Sequence, residues 1–274
     1  MNAGMLDLRV EAAQLAPAVG DLPELTAAER HSAVATWRGR MVNEHISSRV
    51  FGVLLGQAMA AGLSARRQTQ IAEFACEELR HARQCASVVA ALGGEAVAPL
   101  PALPGVPSHS DAEPLEALLR NVVSVCCLAE TVAVALIRAE TLEIGPPQLL
   151  HLLEGILADE VGHARFGWTL LDELAPLDPP LRERLSAYLE TALTHLVEHE
   201  LLHLPARGDM GARAAQVGVC SGLAARQLLF DTIDTVILPG LARHGLQPRD
   251  SWRHRQGPLN DEAAAGQVEA GQPA

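Results

Sequence analysis

The 274-residue chain contains no lysine, and all twenty-one of its basic residues are arginine. We attribute this bias to a GC-rich genome rather than to function. Acidic residues outnumber the basic ones, which gives a net charge of −12. Because so acidic a chain repels phosphate backbones and anionic headgroups, we expect neither nucleic acid nor a membrane surface as a partner.

Aromatic residues and cysteines are also few. Aromatics make up 3% of the chain, and Tyr188 is its one tyrosine. The five cysteines are odd in number and form no C-x-x-C pair, so we expect reduced thiols in a cytoplasmic protein. No basic segment followed by an apolar run opens the chain, and we therefore expect no signal peptide.

Long hydrophobic runs are lacking as well. The most apolar stretch covers residues 122–137 and carries Glu130 at its middle. We judge it too short to span a bilayer. It is therefore predicted to be a buried helix, and its glutamate needs an explanation from the interior of the protein.

Alanine and leucine are abundant, and helical spacing of apolar residues predicts an all-α protein. We expect an N-terminal arm over 1–25, one helical domain over 26–246 and a flexible tail over 247–274. Residues 94–112 and 205–221 are predicted connections. The predicted helices cover about 26–62, 64–92, 114–143, the stretch from the Gly145-Pro146-Pro147 break to 174, 181–204 and 222–244.

The stretch LADEVGHARF places Glu160 and His163 three residues apart on the apolar face of the fourth helix. A buried carboxylate without a partner costs several kcal/mol, so a group of opposite charge must lie nearby. A metal ion is the simplest such partner. One Glu-x-x-His motif is weak evidence, because roughly one is expected by chance in a chain this rich in both residues.

Three other helices carry the same residue types on their apolar faces. The second helix repeats the motif as Glu78-x-x-His81, and the first and third helices place Glu44 and Glu130 among apolar residues. The order is a single Glu followed by Glu-x-x-His, twice over. This order predicts a duplicated helix pair with six metal-ligating side chains at its centre.

This ligand set resembles that of the ferritin-like diiron carboxylate proteins, over residues of about 35–175. The resemblance implies an antiparallel four-helix bundle, here with two additional C-terminal helices. It also implies a cofactor of two iron ions, with a manganese–iron pair left open. The implied metal ligands are Glu44, Glu78, His81, Glu130, Glu160 and His163.

The resemblance also implies acids that orient the ligand histidines. Asp159 is expected to hold His81, and Glu77 to hold His163. Arg80 matches the arginine that usually accompanies such an acid. The equivalent position on the fourth helix is a glycine, which leaves Glu77 without an arginine of its own.

Small residues stand one turn beyond each ligand. They are Ser48, Cys85, Val134 and Gly167. One interpretation is that they leave room beside the metals for a substrate. The other is that they only allow the helices to pack closely.

The resemblance implies an oxygenase or oxidase that uses O₂ on a small, apolar organic substrate. An electron-donating reductase or ferredoxin is the implied partner, and a homodimer is left open. The alternative within the same fold is a ferroxidase or iron-binding protein. No further acids lie on the inward faces near the ligands, which disfavours that alternative because iron entry needs a path of carboxylates.

Residues 199–203 read His-Glu-Leu-Leu-His and match the H-E-x-x-H motif of zinc metalloproteases. The sequence lacks the third ligand of such enzymes and any strand to bind a peptide, so protease activity is a distant alternative. Three interpretations remain open for the histidines of this segment, His195, His199 and His203. They form a solvated helix face, belong to a helix that covers the metal site, or form a separate metal site.

Overall fold

The computed structural model describes residues 4–101, 105–204 and 211–255. Its architecture is all-α, as predicted, apart from one small sheet near the N-terminus. Strand β1 (Met5–Asp7) leads into helix α1 (Arg9–Leu15) and a 3₁₀ turn (Ala16–Val19). Leu6, Ala12 and Val19 are buried against the bundle, so the N-terminal arm is an ordered part of the domain.

Helices α2 (Ala27–Ala60) and α3 (Ala65–Ala91) form the first hairpin of the bundle. The Thr26 hydroxyl accepts a hydrogen bond from the backbone N–H of Glu29, and the Glu29 carboxylate accepts one from the backbone N–H of Thr26. This capping box fixes the start of α2. The Ser64 side chain caps α3 by accepting a hydrogen bond from the backbone N–H of Arg67. Both starts agree with the predicted boundaries.

The connection after α3 contains strand β2 (Val97–Pro99), which pairs antiparallel with β1. We had predicted no strand in the chain, and that prediction is wrong. Each strand has only three residues, which is too short for an alternating pattern to be visible in the sequence. The pairing ties the long crossover between the two hairpins to the N-terminal arm.

The third bundle helix is divided into helix α4 (Pro114–Val122), a π-helical segment (Val123–Ala129) and helix α5 (Glu130–Thr141). Together they are long and apolar enough to cross a membrane, so our judgement of insufficient length is wrong. The segment instead contributes fully buried residues to the protein core, including Val122, Cys126 and Leu128. Its burial agrees with the predicted interior helix.

Helix α6 (Pro147–Glu173) completes the second hairpin and begins with a proline in its first turn. The next helix, α7 (Pro179–His203), also lies where it was predicted. Two further C-terminal helices were not predicted. They are a single turn, α8 (Ala212–Ala215), in the supposed loop, and α11 (Pro248–His254) in the supposed tail.

The remaining predicted C-terminal helix consists of α9 (Gly222–Thr232), a second π-helical segment (Ile233–Ile237) and α10 (Leu238–Arg243). Leu229, Ile233 and Ile237 are fully buried and pack on the bundle. The predicted loop over 205–210 and the predicted tail after residue 255 lie outside the described residues.

The apolar core forms two clusters along the bundle axis. Trp37 and Met41 of α2 belong to one cluster with Leu149 of α6. Phe51, farther along α2, belongs to the other with Phe166 of α6. The predicted metal ligands lie between these clusters, so the bundle surrounds a polar layer with apolar side chains above and below.

Candidate metal centre

The structure brings the six predicted ligands together in two groups that share two residues. In each group the candidate donor atoms lie within 4.8 Å of one another. One group is Glu44, Glu78, His81 and Glu160, and the other is Glu78, Glu130, Glu160 and His163. Glu78 and Glu160 therefore have the positions of bridging carboxylates.

In the structure Glu130 belongs to one group only, as Glu44 belongs only to the other. This arrangement agrees with the predicted duplication of the helix pair, in which Glu78 corresponds to Glu160 and Glu44 corresponds to Glu130.

Both ligand histidines turn the same nitrogen toward the carboxylates. His81 Nδ1 lies 3.4 Å from Glu44 Oε2 and 3.3 Å from Glu160 Oε1. His163 Nδ1 lies 2.9 Å from Glu160 Oε2 and 3.2 Å from Glu78 Oε1. The ring centroids are 6.2 Å apart, so each group has one imidazole.

The opposite nitrogen of each ring contacts the predicted orienting acid. His81 Nε2 lies 2.9 Å from Asp159 Oδ2, and His163 Nε2 lies 2.9 Å from Glu77 Oε2. An ionised carboxylate only accepts hydrogen bonds, so Nε2–H donates and the lone pair of a neutral ring lies on Nδ1. This is the tautomer that a metal ligand requires here.

Arg80 contacts both orienting acids. Its Nη2 is 2.7 Å from Asp159 Oδ2 and 3.9 Å from Glu77 Oε1. We had expected Glu77 to lack an arginine because Gly162 replaces its counterpart on α6. One guanidinium on α3 instead lies beside both acids.

The ligand layer is almost completely shielded from water. His81 and His163 are 0% exposed, Glu78 1% and Glu160 3%. Burial and the neighbouring carboxylates raise the pKa of Glu78 and the pKa of Glu130 well above the ordinary range. Four carboxylates this close repel one another unless positive charge lies between them.

Burial also raises the pKa of Glu160, but contacts with His163 and His81 outweigh it and hold this pKa below its ordinary range. Burial lowers the pKa of His81, but the facing carboxylates outweigh it and raise the pKa to about 10. The balance is the same for His163, with a pKa of about 9. Binding of a cation would therefore release protons from these side chains.

The side chains fit a pair of divalent cations. Among the described residues, His81 Nδ1 is one of the few buried polar atoms with no hydrogen-bond partner, and it points at two carboxylates. An unpaired nitrogen that faces buried carboxylates is the arrangement that a metal ligand would have. Four carboxylates and two imidazoles favour iron or manganese over softer ions.

Phenylalanine side chains, which the sequence analysis did not assign to the site, line the His163 end. The ring centroids of Phe51 and Phe74 lie 5.0 and 4.5 Å from that of His163. Both phenylalanines are buried. They occupy apolar-face positions that any core residue could take, so the sequence alone offers no signal that they contact a ligand.

The four small residues beside the ligands differ in their surroundings. Cys85 is fully buried, Val134 is half-buried, and Ser48 Oγ donates to the His45 carbonyl at 2.7 Å. At Gly167 the expectation of open space is wrong. A Cβ there would lie 2.7 Å from Cys127 Sγ, so Gly167 allows α6 to pack closely on the π-helical segment.

The H-E-x-x-H residues lie far along α7 and do not join the bundle site. His199 and His203 are exposed. In the part of the chain that the structure describes, the groups of three or more candidate ligands are the two in the bundle. The H-E-x-x-H histidines therefore belong to no such group within the described residues.

The fold and the site together define an all-α, ferritin-like helical bundle with a carboxylate–histidine cluster at its centre. A Synechococcus protein described as protein 19 with aldehyde deformylating oxidase activity has a similar structure. The TM-score is 0.57 at 18% identity, over 83% of this chain and 96% of that chain. At this identity the likeness establishes the fold alone. No family model and no curated protein matches the sequence.

Proposed function

We propose that this protein is a non-haem diiron oxidoreductase that uses O₂ to oxidise a small, apolar organic substrate. The observation that carries the proposal is the pair of donor groups that share Glu78 and Glu160. Two sites joined by two carboxylates suit two neighbouring cations. Two iron ions held there would supply electrons to O₂ at one location.

The chain's own side chains would hold and orient these ions. Glu44 and His81 belong to one ion's site, and Glu130 and His163 to the other's, with Glu78 and Glu160 between them. Asp159 and Glu77 accept the Nε2–H protons and keep each Nδ1 lone pair directed inward. Six protein donors over two ions leave coordination positions for reactants.

The apolar surroundings support an organic substrate rather than iron as the species oxidised. Phe51 and Phe74 cover the His163 end, and both core clusters exclude water from the ligand layer. A dry site protects a reactive oxidant from water. The most exposed ligand is Glu44, whose side chain is 15% accessible, so substrate access is expected on its side.

The activity given for the structural neighbour supports an aldehyde as one class of substrate to test. Reduction of O₂ needs electrons from outside the site, and a reductase or ferredoxin is the proposed donor. The five cysteines within the described residues are all unpaired, which suits the reducing cytoplasm that we propose as its location. A ferroxidase is the second candidate.

The test begins with anaerobic loading of ferrous iron. The loaded protein is mixed with O₂ in a stopped-flow spectrometer, first alone, then with medium-chain aldehydes, and separately with excess ferrous iron. We expect a transient optical change, a faster decay with substrate, and an organic product. Glu160→Ala should abolish all three. Many iron atoms oxidised per site, with mineral formed, would instead establish the ferroxidase.

A further inference from the structure

The last turns of α7 carry three histidines that the bundle site does not use. His195, His199 and His203 are spaced four residues apart, and all three are exposed. Residues at this spacing lie on one face of a helix. The ring centroids of His199 and His203 are 4.4 Å apart, and those of His195 and His199 are 6.1 Å apart. The C-terminal pair is therefore the closer one.

The hydrogen bond of His203 fixes its tautomer. Its Nδ1 lies 2.7 Å from the backbone carbonyl oxygen of His199. A carbonyl oxygen can only accept, so Nδ1 carries the proton and donates it. In the neutral ring the lone pair then lies on Nε2, on the side away from the helix backbone.

His199 has a matching arrangement. Its Nδ1 lies 3.2 Å from Glu200 Oε1, and an ionised carboxylate also only accepts. The neutral ring again carries its lone pair on Nε2. An imidazole whose Nδ1–H is held by a carboxylate or a backbone carbonyl is the usual form of a metal-bound histidine, and this pair shows one of each.

We propose that His199 and His203 bind one Zn²⁺ or similar first-row divalent ion through their Nε2 atoms on the surface of α7. Imidazole nitrogen is a preferred ligand of these cations. Both rings are exposed, so water can complete the coordination shell. This site is separate from the bundle centre and does not depend on the proposed oxidase function.

The ion would stabilise the end of α7 where it meets α9. The backbone carbonyls of Leu201 and Leu204 accept hydrogen bonds from Arg226 Nη2 of α9. A cation that links His199 to His203 spans the helical turn that contains the Leu201 carbonyl and that immediately precedes Leu204. Metal binding would therefore reduce fraying at the point where α7 ends and the chain leaves the helix.

The test is calorimetric titration of the full chain with Zn²⁺ at neutral pH, in wild type and three single variants. His195→Gln is the matched control, because His195 and His203 flank His199 at the same spacing. We expect His199→Gln and His203→Gln to lose one zinc equivalent, and His195→Gln to keep it. None of these changes touches the bundle site, so any zinc bound there is common to all four proteins.

The Glu200→Gln variant supplies a second measurement, the affinity of the zinc site formed by His199 and His203. It removes the carboxylate that accepts the His199 Nδ1–H and should weaken this zinc by about tenfold or more. Equal stoichiometry and affinity in wild type and His203→Gln would overturn the proposal and establish a solvated helix face. Loss of the equivalent in His195→Gln would overturn it in favour of the other histidine pair.

Discussion

At the scale of single residues, each imidazole of the cluster lies between the cluster carboxylates and an acid outside the cluster. This acid is Asp159 for His81 and Glu77 for His163, both at 2.9 Å. The acids come immediately before Glu160 and Glu78 in the chain. Each Glu-x-x-His helix thus supplies ligands to the site and one orienting acid to the histidine of the opposite helix.

This reciprocity predicts that Asp159→Ala weakens the binding of one iron much more than the other. His81 loses its Nε2–H acceptor and the inward tautomer is no longer enforced, so affinity should fall by about 10–100-fold at that site. Glu77→Ala should do the same at the His163 site. Competition with a chromophoric chelator measures both affinities. Two unchanged binding steps in either variant would show that these acids do not orient the ligands.

At the scale of elements, the unpredicted feature nearest the site is the π-helical segment that precedes Glu130. The extra residue per turn rotates the following side chains relative to a continuous α-helix, and π segments often occur at functional sites. Here it places Cys126 and Cys127 directly against Gly167 of α6. Apolar periodicity alone cannot reveal such a local change in helical pitch.

Close packing at this contact predicts opposite effects for two glycine substitutions in α6. Gly167→Ala forces a Cβ to within 2.7 Å of Cys127 Sγ and of Cys126 Cβ, so the free energy of unfolding should fall by about 1–3 kcal/mol. At Gly155 a Cβ meets nothing within 4 Å. Gly155→Ala should therefore increase the free energy of unfolding by up to about 1 kcal/mol, because alanine has a higher helix propensity than glycine.

Urea unfolding followed by circular dichroism measures both changes. The two variants carry the same substitution in the same helix, so the difference between them isolates the packing term. Equal stability of Gly167→Ala and Gly155→Ala would show that α6 and the π-helical segment are not in close contact.

At the scale of the whole molecule, the burial pattern predicts an order of thiol reactivity. Cys76 is exposed and Cys220 is half-buried, whereas the other three cysteines are buried. Burial also raises the pKa of Cys126 well above its ordinary range, which suppresses the reactive thiolate. A thiol reagent should modify one cysteine rapidly, a second slowly and three only after denaturation. Rapid reaction of three or more thiols in native protein would contradict the described core.

Much of this fold was predictable because its local signals agree. The capping box at Thr26 and the cap at Ser64 mark helix starts, and charged residues stand out against apolar faces. The short sheet, the π segments and α11 gave no comparable signal, since none exceeds seven residues and so short a segment shows no reliable periodicity. The shared position of Glu78 and Glu160 agrees with the equivalence of the two Glu-x-x-His helices in sequence.

The central claim is that six side chains hold two iron ions at the bundle axis. It is tested most directly by anaerobic loading with ferrous iron, desalting and elemental analysis of wild type and Glu160→Ala, with folding confirmed by circular dichroism. Glu160 belongs to both donor groups, so the variant should lose most of the iron, whereas Glu200→Gln should retain it. We predict close to two equivalents in the wild type. A wild type that holds no iron, or a Glu160→Ala variant that keeps both equivalents, would contradict the claim.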